Sequence, residues 1–150
     1  MKLLGKVAII TGGGRGIGRA MSLMFAEEGA NISLAARSTA LMKEVANQIE
    51  ALGRRSLVNT TDITNAEQVE SMVKRTFEEF GRMDILVNNA GIAGPTAYVY
   101  EITPEEWDET FNVNLKGAFL CCRAVVPVMM KQGGGKIINI ASMTGKRPLP

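Results

Sequence analysis

A glycine-rich segment near the N-terminus has the residue types that can hold a phosphate group. Residues 11–18 read Thr-Gly-Gly-Gly-Arg-Gly-Ile-Gly, and they join an apolar run to a segment with helical periodicity. The first N–H groups of a helix lack partners within the helix and carry partial positive charge, so they can bind an anion. Glycines allow the tight turn and the close approach of a pyrophosphate. This strand–turn–helix context predicts dinucleotide binding, and the lack of a Gly-Lys-Ser/Thr ending disfavours a P-loop nucleoside triphosphatase.

The residues after the second apolar run bear on which dinucleotide is bound. A NAD-binding chain places an acidic residue there to contact the ribose 2′-hydroxyl. Here Ala36 is followed by Arg37 and Ser38, and the next acidic residue is Glu44. A guanidinium binds a 2′-phosphate through paired, charge-assisted hydrogen bonds, whereas a carboxylate repels it. A single arginine is more often a solvated surface charge, but Arg37 together with Arg15 favours NADP(H) over NAD(H).

The amino-acid composition excludes several kinds of catalytic and metal site. The 150 residues include no histidine, which excludes Ser-His-Asp and Cys-His nucleophiles and a histidine-ligated zinc, and we predict no metal site. Acid–base catalysis would fall to Tyr, Lys, Asp or Glu. Interspersed charges with a net value of +2 give no reason to expect a nucleic-acid or membrane partner. The adjacent Cys121 and Cys122 are expected to be reduced thiols in a cytoplasmic protein, and no segment is expected to span a membrane.

Predicted strands and helices, which must position these residues, alternate along the chain. Short apolar runs predict five strands, and segments of helical periodicity separate them. The predicted strands are Val7–Thr11, Ile32–Ala36, Ser56–Thr60, Ile85–Asn89 and Lys136–Ala141. This alternation is typical of an α/β protein with a doubly wound parallel sheet, the Rossmann fold, with helices on both faces.

Sequence signals also predict where two helices begin. Thr64 with Glu67 forms one potential capping box, and Thr103 with Glu106 forms another, with Pro104 at the first helical position. The aromatic residues Phe77, Phe80 and Trp107 are interpreted as core residues rather than as parts of a site.

Two motifs together carry a family resemblance. The pattern Thr-Gly-x-x-x-Gly-Ile-Gly at residues 11–18 is joined to Asn-Asn-Ala-Gly at residues 88–91. With both, the chain resembles the short-chain dehydrogenase/reductase family over its whole length, in the compact branch that includes 3-oxoacyl-acyl-carrier-protein reductases. The resemblance implies hydride transfer between nicotinamide and a substrate carbonyl or hydroxyl, acyl-carrier-protein-linked substrates included. It also implies a homo-oligomer in the full-length protein, paired through the helix Asn112–Met130 and the helix after it.

The resemblance assigns roles to individual residues. Asp62 matches the acid that contacts the adenine amino group, although by itself it reads as a turn aspartate. Asn114 matches an asparagine that holds a water in a proton relay, where the residue alone suggests a polar helix side chain bonded to nearby backbone. Ser142, in Ile-Ala-Ser-Met-Thr-Gly, matches the serine that hydrogen-bonds the substrate's carbonyl or hydroxyl. Asn88, Ala90 and Gly91 match a segment that lines the cofactor and steadies the sheet. The predicted cofactor-binding residues are Gly12, Gly14, Arg15, Gly16, Ile17, Gly18, Arg37, Asp62, Ile63, Asn88, Ala90 and Gly91.

The chain departs from the family pattern at the proton donor. The family places Tyr-x-x-x-Lys after the serine strand, whereas residues 143–150 contain no tyrosine, and Tyr98 and Tyr100 precede Ser142. We therefore expect residues 1–150 to be the NADP(H)-binding N-terminal part of a longer domain. The alternative is a truncated, non-catalytic dinucleotide-binding module.

Overall fold

Five parallel strands form one sheet in residues 1–142, the part of the chain that the computed structural model describes. The strands are β1 Val7–Thr11, β2 Asn31–Ala36, β3 Ser56–Thr60, β4 Ile85–Asn88 and β5 Lys136–Asn139, and their order in the sheet is β3-β2-β1-β4-β5. The helices are α1 Gly16–Glu27, α2 Thr39–Ala51, α3 Ala66–Phe80, α4 Pro104–Phe111 and α5 Gly117–Lys131, with a π-helical turn, Asn112–Lys116, between the last two. The predicted doubly wound sheet is confirmed, and the last two strands end earlier than predicted.

The two faces of the sheet bury separate apolar clusters. Along β1 the side chains alternate, as they must in a strand. Ala8 and Ile10 pack with residues of α1 and α2, whereas Ile9 packs with residues of α3 and α5. The central strand is therefore covered on both faces, which explains why its sequence is almost continuously apolar.

One predicted helix start is confirmed and the other is wrong. At α4, the Thr103 hydroxyl accepts from the Glu106 N–H at 3.2 Å, and the Glu106 carboxylate accepts from the Thr103 N–H at 3.0 Å. At α3 the N-cap is Asn65, whose side-chain oxygen accepts from the Gln68 N–H at 3.0 Å. Thr64 does not cap the helix because its hydroxyl donates to Asp62 instead, at 2.8 Å.

The interpretation of the aromatic residues as core is corrected for two of them. Trp107 is 52% exposed and Phe77 is 46% exposed. Trp107 stacks on Phe111, with ring centroids 4.4 Å apart, on the outer surface of α4. Phe80 is half-buried, and the guanidinium of Arg55 lies 5.1 Å from its ring centroid. Helical spacing identifies a common face but does not say whether that face meets the sheet.

The helical stretch Pro104–Lys131 is long and apolar enough to qualify as a membrane span by length and composition, contrary to the expectation of no such segment. In this structure its inner face packs against the sheet through Leu120, Val125 and Met129. Cys121 also lies on this face, where burial raises the pKa of its thiol to about 12, and neither Cys121 nor Cys122 forms a disulfide in this structure.

Candidate functional site

A cleft of about 760 Å³ opens at the carboxyl ends of the strands. Five segments line it: the glycine-rich turn after β1, the junction of β2 and α2, the residues that follow β3, the residues that follow β4, and the junction of α4 with the π-helical turn. In an open parallel sheet, ligands bind at the carboxyl edge where the strand order reverses direction. Here that point lies between β1 and β4, which are neighbours in the sheet.

The N-terminus of α1 faces this cleft without a side-chain cap. Arg15 occupies the N-cap position but makes no capping hydrogen bond, and the first turn carries no acidic residue. Gly16 has a φ of +52°, and a Cβ placed on it would meet no protein atom within 4 Å. The first N–H groups of α1 are therefore left for an anion, and the backbone beside them is open to a ligand.

Gly18 has a different role from the other glycines of the turn. It is buried and lies outside the cleft lining. A Cβ there would lie 2.2 Å from the carbonyl oxygen of Gly12. Gly18 thus allows α1 to pack closely on the turn rather than contacting a ligand itself.

A hydrogen-bond network joins the end of β1 to the end of β4. The buried hydroxyl of Thr11 donates to the Val87 carbonyl at 3.2 Å and accepts from the N–H groups of Asn89 and Ala90, each at 3.0 Å. The Asn89 side-chain amide donates to the Thr11 carbonyl at 2.9 Å. Asn89 also lines the cleft, as Ala90 and Gly91 do. The sequence analysis did not select Asn89, although the paired asparagines were the signal that could have found it.

Asn88 points away from the cleft. Its amide donates to the Asn139 side-chain oxygen at 2.9 Å and to the Cys122 sulfur at 3.3 Å. It is in register with Asn139 in the sheet. The structure therefore places Asn88 between β4, β5 and α5, where it can steady the sheet, and not among the lining residues.

Asp62 and Ile63 line the cleft after β3. One carboxylate oxygen of Asp62 accepts from the N–H of Thr64 at 2.9 Å and from its hydroxyl at 2.8 Å. These two hydrogen bonds lower the pKa of Asp62, and the positive charge of Arg37 adds to them against a smaller opposing effect of burial. Asp62 is therefore an oriented carboxylate at neutral pH, which can accept a hydrogen bond from an amino group.

Two guanidinium groups also line the cleft. Arg15 and Arg37 are both exposed, and neither guanidinium forms an ion pair or hydrogen bond with the rest of residues 1–142. Ser38 follows Arg37 in the lining, and its side chain makes no capping bond to α2. The cleft thus combines two uncommitted cations with an open helix N-terminus, an arrangement suited to a ligand with several phosphates.

The two predicted catalytic residues lie outside the cleft lining. Asn114 sits in the π-helical turn, where its side-chain oxygen accepts from the Ile92 N–H at 2.8 Å and its amide donates to the Ile92 carbonyl at 2.9 Å. It thereby fixes Ile92, which does line the cleft. Ser142 is exposed and lies three residues beyond the end of β5. The remainder of its motif, residues 143–145, lies outside the described residues.

Several lining residues were not predicted. They come mainly from helix ends and from segments after strands, where the sequence carries no phosphate or metal signature. The principal ones are Leu41, Thr61, Asn89, Ile92, Glu109, Asn112 and Val113.

Comparisons with known proteins point to one family. The family described as short chain dehydrogenase matches residues 6–150. An "uncharacterized oxidoreductase" of Thermotoga maritima is 43% identical over 150 residues, covering 100% of the chain and 59% of that protein. A 3-oxoacyl-acyl-carrier-protein reductase, FabG, of the same organism is 39% identical over 145 residues, covering 97% of the chain and 58% of that protein.

The comparison with solved structures points to the same family. The crystal structure of an NAD⁺-bound xylitol dehydrogenase has a TM-score of 0.96 and 33% identity, covering 100% of the chain and 58% of that protein. The chain therefore spans less than two thirds of the length of the proteins that it matches.

Proposed function

Because the chain belongs to the short-chain dehydrogenase/reductase family, we propose that the protein is an NADP(H)-dependent oxidoreductase. It transfers a hydride between nicotinamide and a substrate carbonyl or hydroxyl, as a carbonyl reductase or alcohol dehydrogenase. Residues 1–150 then form the NADP(H)-binding Rossmann part of a longer domain. The observation that carries this proposal is the uncapped N-terminus of α1, which faces a cleft lined by Arg15 and Arg37.

The residues of the cleft fit a dinucleotide. The open space beside Gly16 and the N–H groups of α1 would receive the pyrophosphate. The carboxylate of Asp62, held by Thr64, would accept a hydrogen bond from the adenine amino group, and Ile63 would contact the ring. Gly12, Gly14, Ile17, Ala90 and Gly91 would shape the remaining wall. The bound nicotinamide would supply the hydride chemistry.

We propose that the substrate is bound by residues near β5 and the π-helical turn. Ser142 would hydrogen-bond the substrate oxygen, and Asn114 would hold Ile92 in place and contribute to a water-mediated proton relay. π-Helical turns occur often at functional sites, which supports a role for the segment that contains Asn114. The printed name of the Thermotoga FabG relative supports a carbonyl substrate, with acyl-carrier-protein-linked ones among the candidates.

The choice of NADP(H) rests on charge. The similar xylitol dehydrogenase structure holds NAD⁺, so membership in the family does not by itself decide between the two cofactors. In this chain the residue after β2 is Arg37 rather than an acid, and Arg15 lies in the same cleft. A 2′-phosphate would bind two cations there and meet no carboxylate from β2.

Titration with each cofactor tests the proposal. We expect the full-length protein to bind NADPH at least about tenfold more tightly than NADH, since a charge-assisted hydrogen bond contributes about 1.5–3 kcal/mol. Arg37→Ala should remove most of this preference by weakening NADPH alone. Lys43→Ala is the matched control, because Lys43 is an exposed cation of α2 outside the cleft lining. Equal affinity of the wild type for NADH and NADPH would contradict the assignment.

We also propose that the protein is a cytoplasmic homo-oligomer with no nucleic-acid or membrane partner, paired through the helix at residues 112–130. An exposed apolar stripe supports the pairing. Trp107, Phe111, Leu115 and Phe119 follow one another at four-residue spacing and are 44–62% exposed. A stripe of this spacing lies along one side of a helix and suits a partner helix.

A further inference from the structure

A glycine on α5 lies directly against a residue of the cleft. Gly117 is buried at the first position of α5, immediately after the π-helical turn. A Cβ at this position would lie 2.5 Å from Cδ1 of Ile63, 2.8 Å from its Cγ1 and 3.4 Å from its Cβ. Carbon atoms in ordinary contact are about 3.5–4.0 Å apart. Ile63 therefore occupies the space that a side chain at position 117 would need.

Ile63 lies between the core and the cleft. It is 7% exposed and belongs to the core cluster that contains Val69, Leu120 and Cys121. Protein interiors are packed about as densely as organic crystals, so this cluster has no room for a displaced side chain. The other side of Ile63 is the cleft, which it lines next to Asp62. A side chain at position 117 would thus push the end of Ile63 about 1 Å into the cleft.

We propose that Gly117 is a positioning residue that sets the width of the adenine end of the cleft. Its missing side chain keeps Ile63 withdrawn, so that a flat ring fits beside the Asp62 carboxylate. The inference rests on the proposed dinucleotide function and adds to it a determinant on α5, a helix that contributes no residue to the cleft lining. Gly117 contacts no ligand and acts through Ile63 alone.

The test places Gly117→Ala in three backgrounds. Isothermal titration of the full-length protein with ADP-ribose measures binding of the adenine half without any turnover. With Ile63 present, we expect Gly117→Ala to weaken ADP-ribose about tenfold. With Ile63→Val, the 2.5 Å contact is removed while the 2.8 Å contact remains, and we expect about a threefold loss. With Ile63→Ala, the nearest atom is at 3.4 Å, and we expect no loss.

The graded result separates positioning from a general effect on the helix. Added helix propensity or a shifted α5 would change affinity equally in all three backgrounds, and that result would overturn the proposal. An unchanged affinity of Gly117→Ala with Ile63 present would also overturn it. If that variant does not fold, as judged by circular dichroism, the comparison in the Ile63→Val background decides, since equal affinities there contradict the proposal.

The same titrations distinguish a failure of the proposed function from a failure of the proposed role of Gly117. If the wild type binds neither ADP-ribose nor NADPH, the dinucleotide function is wrong and the role of Gly117 falls with it. If the wild type binds both and Gly117→Ala has no effect, only the role of Gly117 is wrong.

Discussion

Two glycines only two positions apart contribute to the candidate site in different ways. Gly16 has positive φ and faces open space, so it is suited to the approach of a ligand. Gly18 has a neighbouring carbonyl where its side chain would be, so it is suited to the packing of α1. A glycine pattern therefore combines a binding requirement with a folding requirement, and substitutions should separate them.

Gly16→Val is expected to abolish NADPH binding while the protein stays folded. A branched side chain at Gly16 would project into the space assigned to the pyrophosphate, and its positive φ would cost about 1 kcal/mol of stability. Gly81→Val is the control, because Gly81 has a φ of +74°, meets no atom within 4 Å and lies outside the cleft. Thermal unfolding should show similar losses in both variants, and titration should show loss of binding in Gly16→Val alone. Retained binding in Gly16→Val would remove the turn from the proposed site.

At the scale of single residues, the sequence predicted a site residue where binding a phosphate requires a particular residue type. The predicted glycines of the turn, Arg15 and Arg37 were selected for what they can bind, and all but Gly18 line the cleft. Asp62 also lines it, but it was selected through the family resemblance, since by itself it reads as a turn aspartate. Asn88 and Asn89 could not be told apart from type alone, since only the strand register shows which amide points to Thr11 and which to Asn139. Gly117 carried no signal, because its importance depends on a contact with residue 63, 54 positions away in the sequence.

At the scale of the elements, the helix N-termini differ in whether a side chain caps them. α1 begins without a side-chain cap and faces the cleft, whereas α3 and α4 begin with side-chain caps. The capping box at Thr103 was predictable because two reciprocal residues define it. At α3, Thr64 and Asn65 are both good capping residues, and the choice depends on the bond between Thr64 and Asp62. That bond depends on the turn after β3, which the local pattern does not specify.

Asn65→Ala should lower the free energy of unfolding by about 1 kcal/mol, because the Gln68 N–H would lose its partner. Ser38→Ala is the matched substitution at the start of α2, where the side chain makes no capping bond, so it should have a much smaller effect on stability. Urea unfolding of both variants measures the difference. Equal losses would show that Asn65 contributes through something other than its cap.

At the scale of the whole molecule, one carboxylate joins the starts of β1 and β4 at the end of the sheet opposite the cleft. Asp84, just before β4, accepts from the N–H of Val7 at 3.0 Å, from Arg82 at 2.6 and 2.7 Å, and from the ammonium of Lys6 at 3.3 Å. Its side chain is 12% exposed. Burial by itself would raise the pKa of Asp84, but these hydrogen bonds outweigh it and the pKa is lowered. The ionised form is thus the one that stabilises the fold.

The contribution of Asp84 should depend on pH in a defined direction. Because its pKa is lower in the folded chain than in the unfolded chain, its stabilisation is complete above the ordinary value of 3.8 and is lost as the pH falls through the folded value. Asp84→Asn should cost about 2 kcal/mol at pH 7 and progressively less in acid. Glu78→Gln, at an exposed pair with Lys74, should change little. A deficit of Asp84→Asn that is the same at pH 7 and pH 3 would contradict this account.

The sheet itself was predictable because alternation of strands and helices admits few parallel topologies. The exposure of Trp107 and Phe77 was not, since a helical apolar face has the same spacing whether it meets the sheet or the outside of the molecule.

The bonds between Thr11 and Asn89 have a further consequence. They tie the turn that precedes α1 to the strand on the other side of the switch point, so neither can shift alone. The cleft is therefore preorganised before any cofactor arrives, and little conformational entropy is lost when one binds. Tight association would then reflect the match of charge and shape rather than any induced rearrangement, and cofactor-free and cofactor-bound forms should share one backbone at this turn.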